Sequence, residues 1–285
     1  MYCLFVYFYS CSAVSGLKTD FCVLVSMKAF APGSVTAVFA PTESGDESRG
    51  ASMAIEDGIV ANVQTAGETE IVLDGEATDF EPVEGVLAEL GVSARVELDA
   101  AIPIGCGFGA SGAATLATAI SANEVFELGH SQDKLVGFSH VAEVEAGTGL
   151  GDVFIQSAGG LLMDGGSGRK RWEPTDAVEY VSFGGMSTSD ALGDEELMAR
   201  VRTVGGRTLR SFPDEPSLER VIRDSWAFAR ELELPTGRVE AAVREVESEG
   251  GVASMAMLGE TVFAVGVDDI FPNRTNVSHH GSQLL

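Results

Sequence analysis

The sequence predicts an α+β protein built in two parts, and three observations carry that expectation. Short apolar runs bounded by turn residues dominate residues 28–98. A glycine-rich loop then feeds an alanine-rich helix. Past residue 176 come a strand, three helices and a closing hairpin, an order that predicts a small α+β sandwich. At 285 residues and 45% apolar content, the chain can build a sizeable core.

In the first part, residues 28–40 read as a strand, a turn at Pro32-Gly33 and a second strand. Residues 58–65, 70–73 and 94–98 are further strands, and residues 80–90 form a helix that Gly91 ends. Residues 113–126 are rich in alanine, lack proline and predict a helix. Residues 132–145 predict another, followed by the loop Gly147-Thr148-Gly149-Leu150-Gly151-Asp152. Residues 154–163, with Gly159 and Gly160 inside, read as a buried pair of strands. Glycines, the basic run Arg169-Lys170-Arg171 and Pro174 mark a boundary, with the basic run read as a surface linker. Beyond it, residues 178–183 predict a strand, residues 195–209, 217–231 and 238–249 predict helices, and residues 252–257 and 261–267 a hairpin. The expected division is therefore residues 27–170 and 171–285.

Asp and Glu number 43 against 18 Lys and Arg, a net charge of −25 spread along the chain. Such a charge reads as a solvated acidic surface that repels phosphate backbones, so no nucleic-acid partner is expected. It also resembles the surfaces of proteins from salt-accumulating archaea, where ionic strength screens the self-repulsion. Residues 1–26 differ: they hold Cys3, Cys11 and Cys22 and three of the four tyrosines. Their first charge, Lys18, follows the apolar run, the reverse of a signal peptide. That run is shorter than the roughly 20 residues needed to cross a bilayer. Met27 is therefore read as the natural start, and residues 1–26 as an upstream extension or disordered leader, with a membrane-associated leader as the alternative. Only Cys106 then remains, too few for an intramolecular disulfide framework. A cytoplasmic protein with no membrane partner is expected.

The strongest chemical signal is Pro103-Ile104-Gly105-Cys106-Gly107-Phe108-Gly109-Ala110-Ser111-Gly112-Ala113, which runs into the predicted helix. Unpaired N–H groups at a helix start bind anions, and glycines let the backbone approach a phosphate closely. Ser111 adds a hydroxyl for a phosphate or a phosphate-bound Mg²⁺. No Gly-x-x-x-x-Gly-Lys-Ser/Thr occurs in the chain, which excludes a Walker loop. Gly105-x-Gly107-x-x-Ala110 fits the loose dinucleotide fingerprint. However, it follows several strands instead of opening the fold, and the chain after residue 126 offers no strand-ending acid for a ribose.

Pro103-x-Gly105-x-Gly107-x-Gly109-x-Ser111 resembles the phosphate-binding motif of the GHMP kinases, the superfamily of galactokinase, homoserine kinase and mevalonate kinase. Ala31-Pro32-Gly33-Ser34 resembles that family's N-terminal motif, with Ser34 in place of its usual lysine. Residues 251–263 sit where its third motif belongs, with Ser254 to Gly259 departing from the usual glycine-rich form. Together with the Thr148 to Asp152 turn and residues 140–145, these departures resemble the archaeal pantoate-kinase branch. The resemblance covers residue 27 to the end. It implies a two-lobed α+β fold, with a ribosomal-protein-like N-terminal lobe that has a left-handed crossover and a ferredoxin-like C-terminal lobe. It implies ATP and Mg²⁺ as cofactors, with pantoate phosphorylated to 4-phosphopantoate on the way to coenzyme A. Homoserine, shikimate or a mevalonate-like alcohol remain alternative acceptors, and a dinucleotide-binding protein is the alternative from another class.

By the same resemblance, Ser111 and Glu143 would hold Mg²⁺, and Asp152 would orient or accept the proton of the acceptor hydroxyl. Pro103, Gly105, Gly107, Phe108, Gly109, Ala110, Ser111, Gly112 and Ala113 would cradle the nucleotide. Pro32, Gly33, Ser34, Thr148 and Gly149 are candidate acceptor-binding residues. A carboxylate acceptor calls for a cation, and Lys28 and Arg207 are the candidates taken. Glu145 is an alternative ligand to Glu143. His140 lies three residues before Glu143, on the same helical face, and reads as a packing or orienting residue. His279 and His280 read as tail. Homodimerisation is carried as an expectation.

Overall fold

In the computed structural model, residues 5–7, 24–43, 45, 47–166, 168–185 and 188–285 are described. Of the leading segment, residues 1–4 and 8–23 lie outside the described residues. Strand β1 (Phe5–Tyr7) pairs antiparallel with the start of β2 (Leu24–Pro41), which pairs along its length with β3 (Ser48–Thr65). Pro32-Gly33 is not a turn. It is a register shift within one 18-residue strand, which bends at the proline and stays paired. The first half of β3 was also unread, because its Gly, Ser and acidic residues mask the pattern.

Strand β4 (Glu70–Leu73) turns into β5 (Glu76–Ala77), and helix α1 (Glu81–Leu90) leads to β6 (Ala94–Ala100), which runs parallel to β4 and antiparallel to β3. Helix α1 has Pro in its first turn and ends on Gly91 in the left-handed region, as expected. Helix α2 (Ala110–Val125) is buried on nearly all sides. Its alanines let it lie against β2 and β3 while α1 and α3 (Gln132–Glu145) pack over it. Residues 154–163 are not two strands: helix α4 (Asp152–Ala158) precedes β7 (Leu161–Asp164). Strand β8 (Arg169–Trp172) pairs with β7, which pairs with β3. The basic run is thus a strand of the first sheet, and the expected division at residues 170/171 falls inside it.

The second sheet holds β9 (Ala177–Gly185), β10 (Val252–Met255), β11 (Gly259–Val265) and β12 (Asn273–Asn276), in the order β10-β11-β9-β12 with antiparallel neighbours. This is the ferredoxin-like strand order, with a loop instead of a helix before the fourth strand. Helices α5 (Thr188–Gly193), α6 (Glu195–Ser211), α7 (Leu218–Glu231) and α8 (Gly237–Ser248) intervene between β9 and β10. Side-chain caps from Asp194, Ser217 and Thr236 start α6, α7 and α8. Ser225 on α7 donates to the Ala37 carbonyl at 2.7 Å and meets Ser254 Oγ at 2.7 Å, fastening α7 and β10 to β2.

The last residues are not a loose tail. Strand β13 (Gln283–Leu284) pairs with β2, the Gly160 N–H donates to the Ser278 carbonyl, and His279 Nε2 lies 2.8 Å from the Pro174 carbonyl. One buried acid holds the turn before β12. Glu179, 2% exposed, accepts backbone N–H bonds from Asp269, Ile270 and Phe271 at 2.6, 2.9 and 3.0 Å. Bonds to a charged acceptor are among the stronger ones, and a neutral amide keeps only part of them. Glu179→Gln should therefore lower stability by about 1–3 kcal/mol in urea unfolding.

Candidate active site

The turn before α2 exists because of its glycines. Gly105, Gly107 and Gly109 all adopt positive φ, and a Cβ at Gly109 would lie 2.3 Å from Ser34 Oγ. The first intrahelical bond of α2 runs from the Ala113 N–H to the Gly109 carbonyl, so the N–H groups of residues 110–112 precede the ladder. The loop is braced from both parts of the molecule. The Ser34 N–H donates to the Phe108 carbonyl at 2.8 Å, and Thr261 Oγ1 on β11 donates to the Cys106 carbonyl at 2.7 Å.

Two carboxylates flank this loop. Glu143, at the end of α3, is 3% exposed and accepts Ser111 Oγ at 2.6 Å and Thr115 Oγ1 at 3.1 Å. Burial pushes its carboxyl up to about 7, against the pull of the two hydroxyls and with the charge of Asp152 adding to the rise. The Thr148 N–H and hydroxyl bind the Glu143 carbonyl at 3.0 and 3.3 Å. A Cβ at Gly149 would come within 2.9 Å of Glu143 Oε2, so glycine there keeps the carboxylate approachable.

Asp152 opens α4. Its Oδ1 accepts Thr36 Oγ1 at 3.1 Å and Ser34 Oγ at 3.2 Å, while Oδ2 has no hydrogen bond among the described residues. Loss of water around it raises its pKa, and the two hydroxyls hold the rise in check.

Asp152, Ser111 and the loop residues Gly105, Gly107, Phe108 and Gly109 line one cavity of about 520 Å³, a size suited to small ligands. Ala110, Thr148 and Gly149 also line it. Pro103, Gly112 and Ala113 do not: the last two are buried in α2. Pro32 and Gly33 do not line it either, and Ser34, fully buried, reaches it only through Asp152. Lys28 and Arg207 are both away from the cavity wall. Lys28 sits on β2 beside β13, and Arg207 pairs with Glu231 on α7.

The cation at the cavity is Arg169, the residue that reading the basic run as a linker missed. It is the only Lys or Arg on the wall among the described residues. Its guanidinium carbon sits 3.8 Å from the centroid of the Phe154 ring, and no ion pair engages it among the described residues. Nothing in the tripeptide itself sets Arg169 apart from its neighbours: Lys170 pairs with Asp214, and Arg171 donates to the Gly159 and His279 carbonyls. The His140 ring lies 5.0 Å from that of Phe154, the packing role expected of it.

The two-sheet α+β fold is shared with solved phosphotransferase and kinase structures. Residues 81–160, from α1 to the end of α4, match the family model described as the GHMP kinases N terminal domain. The chain is 26% identical to the pantoate kinase of Methanospirillum hungatei JF-1, over 85% of this chain and 88% of that one. It is also 26% identical to the pantoate kinase of Methanocaldococcus jannaschii, over 83% and 91%. Among solved structures, a phosphotransferase related to the CoA biosynthesis pathway superposes with a TM-score of 0.79 at 23% identity, covering 91% of this chain and 98% of that one. A mevalonate kinase superposes with a TM-score of 0.63 at 13% identity, covering 90% and 99%.

Proposed function

We propose that the protein is a pantoate kinase, transferring the γ-phosphoryl group of ATP to the 4-hydroxyl of (R)-pantoate. The observation that carries the reading is one cavity lined by a helix-start glycine loop, the Asp152 carboxylate and Arg169, which has no ion pair among the described residues, with the buried Glu143 carboxylate behind the wall and bonded to Ser111. The similarity to two curated pantoate kinases supports the acceptor. In this reading the glycine loop and the start of α2 bind the phosphates. Asp152 Oδ2 takes the proton of the acceptor hydroxyl, whose oxygen forms the new bond to the γ-phosphorus. The bond from that phosphorus to the β-γ bridging oxygen breaks, and ADP leaves. The oxygen-only pair of Ser111 and Glu143, hydrogen-bonded to each other at 2.6 Å, fits Mg²⁺, which would neutralise charge on the phosphates. Arg169 holds the acceptor carboxylate. The net charge of −25 fits work in a salt-rich cytoplasm. Homodimerisation and a cytoplasmic location rest on the family resemblance. No helix among the described residues is long and apolar enough to cross a membrane.

The test is ADP release from Mg-ATP in high potassium salt, comparing pantoate with homoserine, shikimate and mevalonate. Pantoate-dependent release is expected. Release with another acceptor alone would overturn the acceptor and keep the phosphoryl-transfer chemistry. Arg169→Gln should raise the pantoate KM about 10- to 100-fold, the worth of one charged contact, with the ATP KM near wild type. An unchanged pantoate KM would remove Arg169 from the acceptor site.

A further inference from the structure

Gln156 on α4 is fully buried and does not line the cavity. Its Nε2 donates to the Gly109 carbonyl at 2.6 Å and to Ser34 Oγ at 3.3 Å. Its Oε1 has no hydrogen-bond partner among the described residues and sits against Gly112, where a Cβ would come within 2.8 Å. The amide orientation follows from chemistry, since a flipped amide would press its oxygen on the Gly109 carbonyl. Both N–H groups are thus committed, one to the glycine loop and one to Ser34.

A serine hydroxyl has one hydrogen to give. Because Ser34 Oγ accepts from Gln156, its own hydrogen is directed to Asp152 Oδ1, 3.2 Å away. Thr36 reaches the same oxygen at 3.1 Å, and Thr36 Oγ1 lies 3.0 Å from Ser52 Oγ. Every hydroxyl contact therefore falls on Oδ1.

We propose that Gln156 is a positioning residue for phosphoryl transfer: it fixes Ser34 as a donor to Asp152 Oδ1, which leaves Oδ2 as the oxygen that meets the acceptor hydroxyl, and it ties that alignment to the glycine loop through Gly109. This rests on the reading of Asp152 as the group that takes the acceptor proton. Glutamine suits the position because a carboxylate could not donate, and a hydrocarbon would leave Ser34 Oγ without its donor and the Gly109 carbonyl with only the Ala113 N–H.

The test is a cycle of Gln156→Met, Ser34→Ala and the double variant, with kcat, both KM values, ATP binding and Tm measured for each. Gln156→Met keeps the length and removes both donors. It should lower kcat about 10- to 100-fold, as a slightly misplaced reacting group does, with the ATP KM within about twofold of wild type. The double variant should lose clearly less than the product of the two single losses, because both variants remove the same Gln156–Ser34 hydrogen bond. If Gln156→Met does not fold, Gln156→Glu enters the same cycle under the same criteria. A folded variant with wild-type kcat, fully additive losses, or a loss confined to the ATP KM would each overturn the proposal. Asp152→Asn in the same assay separates the two levels. Wild-type turnover in Asp152→Asn would sink the underlying reading, whereas a dead Asp152→Asn beside an active Gln156→Met would sink only the role of Gln156.

Discussion

Asp152→Asn should lower kcat by about 10²–10⁴-fold, the range that general-base catalysis supplies, while Tm and ATP affinity stay close to wild type. The substitution is nearly isosteric. The amide oxygen can still accept the hydroxyls of Ser34 and Thr36 where Oδ1 does now. The amide nitrogen takes the place of Oδ2 and cannot accept a proton. Stability has little reason to fall, because the change removes a charge that is already disfavoured by loss of water around it. A drop in kcat with an equal rise in the ATP KM would assign Asp152 to nucleotide binding instead. Unchanged turnover would remove it from the chemistry.

The features most legible in the sequence were those whose physics is local. Gly91 ending α1, the alanine run of α2 and the helices α6 to α8 depend on residues within a few turns of one another, and each element lies close to where it was expected. The glycine loop was equally readable, because the sequence spacing itself creates the row of left-handed glycines. What was lost depended on partners distant in the chain. Pro32-Gly33 has the look of a turn, and only pairing with β3 makes it a bend in one strand. The apolar Phe154 and Ile155 suggest a strand over residues 154–163, whereas residues 152–158 form the helix that Asp152 opens. Arg169 was set aside because three consecutive basic residues resemble a solvated surface. Its place on the cavity comes from β8 pairing with β7, a fact of the sheet rather than of the tripeptide. Lys28 and Arg207 were chosen for charge alone, and charge carries no information on distance.

Glu143→Gln is the second large effect, and it separates catalysis from stability. In wild-type protein free of metal and nucleotide, burial raises the Glu143 carboxyl from 4.5 to about 7. Between those values the folded chain keeps a proton that the unfolded chain has released. Stability is therefore full at the acid end of the window and falls as pH rises through it, and the loss is complete above about 7. A shift of that size corresponds to about 3 kcal/mol. Glutamine does not titrate, so the difference in unfolding free energy between variant and wild type should climb from pH 5 to pH 8 in favour of the variant. The catalytic outcome runs the other way. The amide can still meet Ser111 and Thr115, but it carries no charge for a divalent cation, and kcat should fall by about 10²-fold or more. Adding Mg-ATP at pH 8 should raise the Tm of wild type by more than that of the variant, because ligand binding to the folded state adds stability in proportion to affinity. Equal Tm shifts would take Glu143 out of the metal site. A flat stability difference from pH 5 to pH 8 would show that the carboxylate is charged throughout, and that Ser111 and Thr115 outweigh its burial.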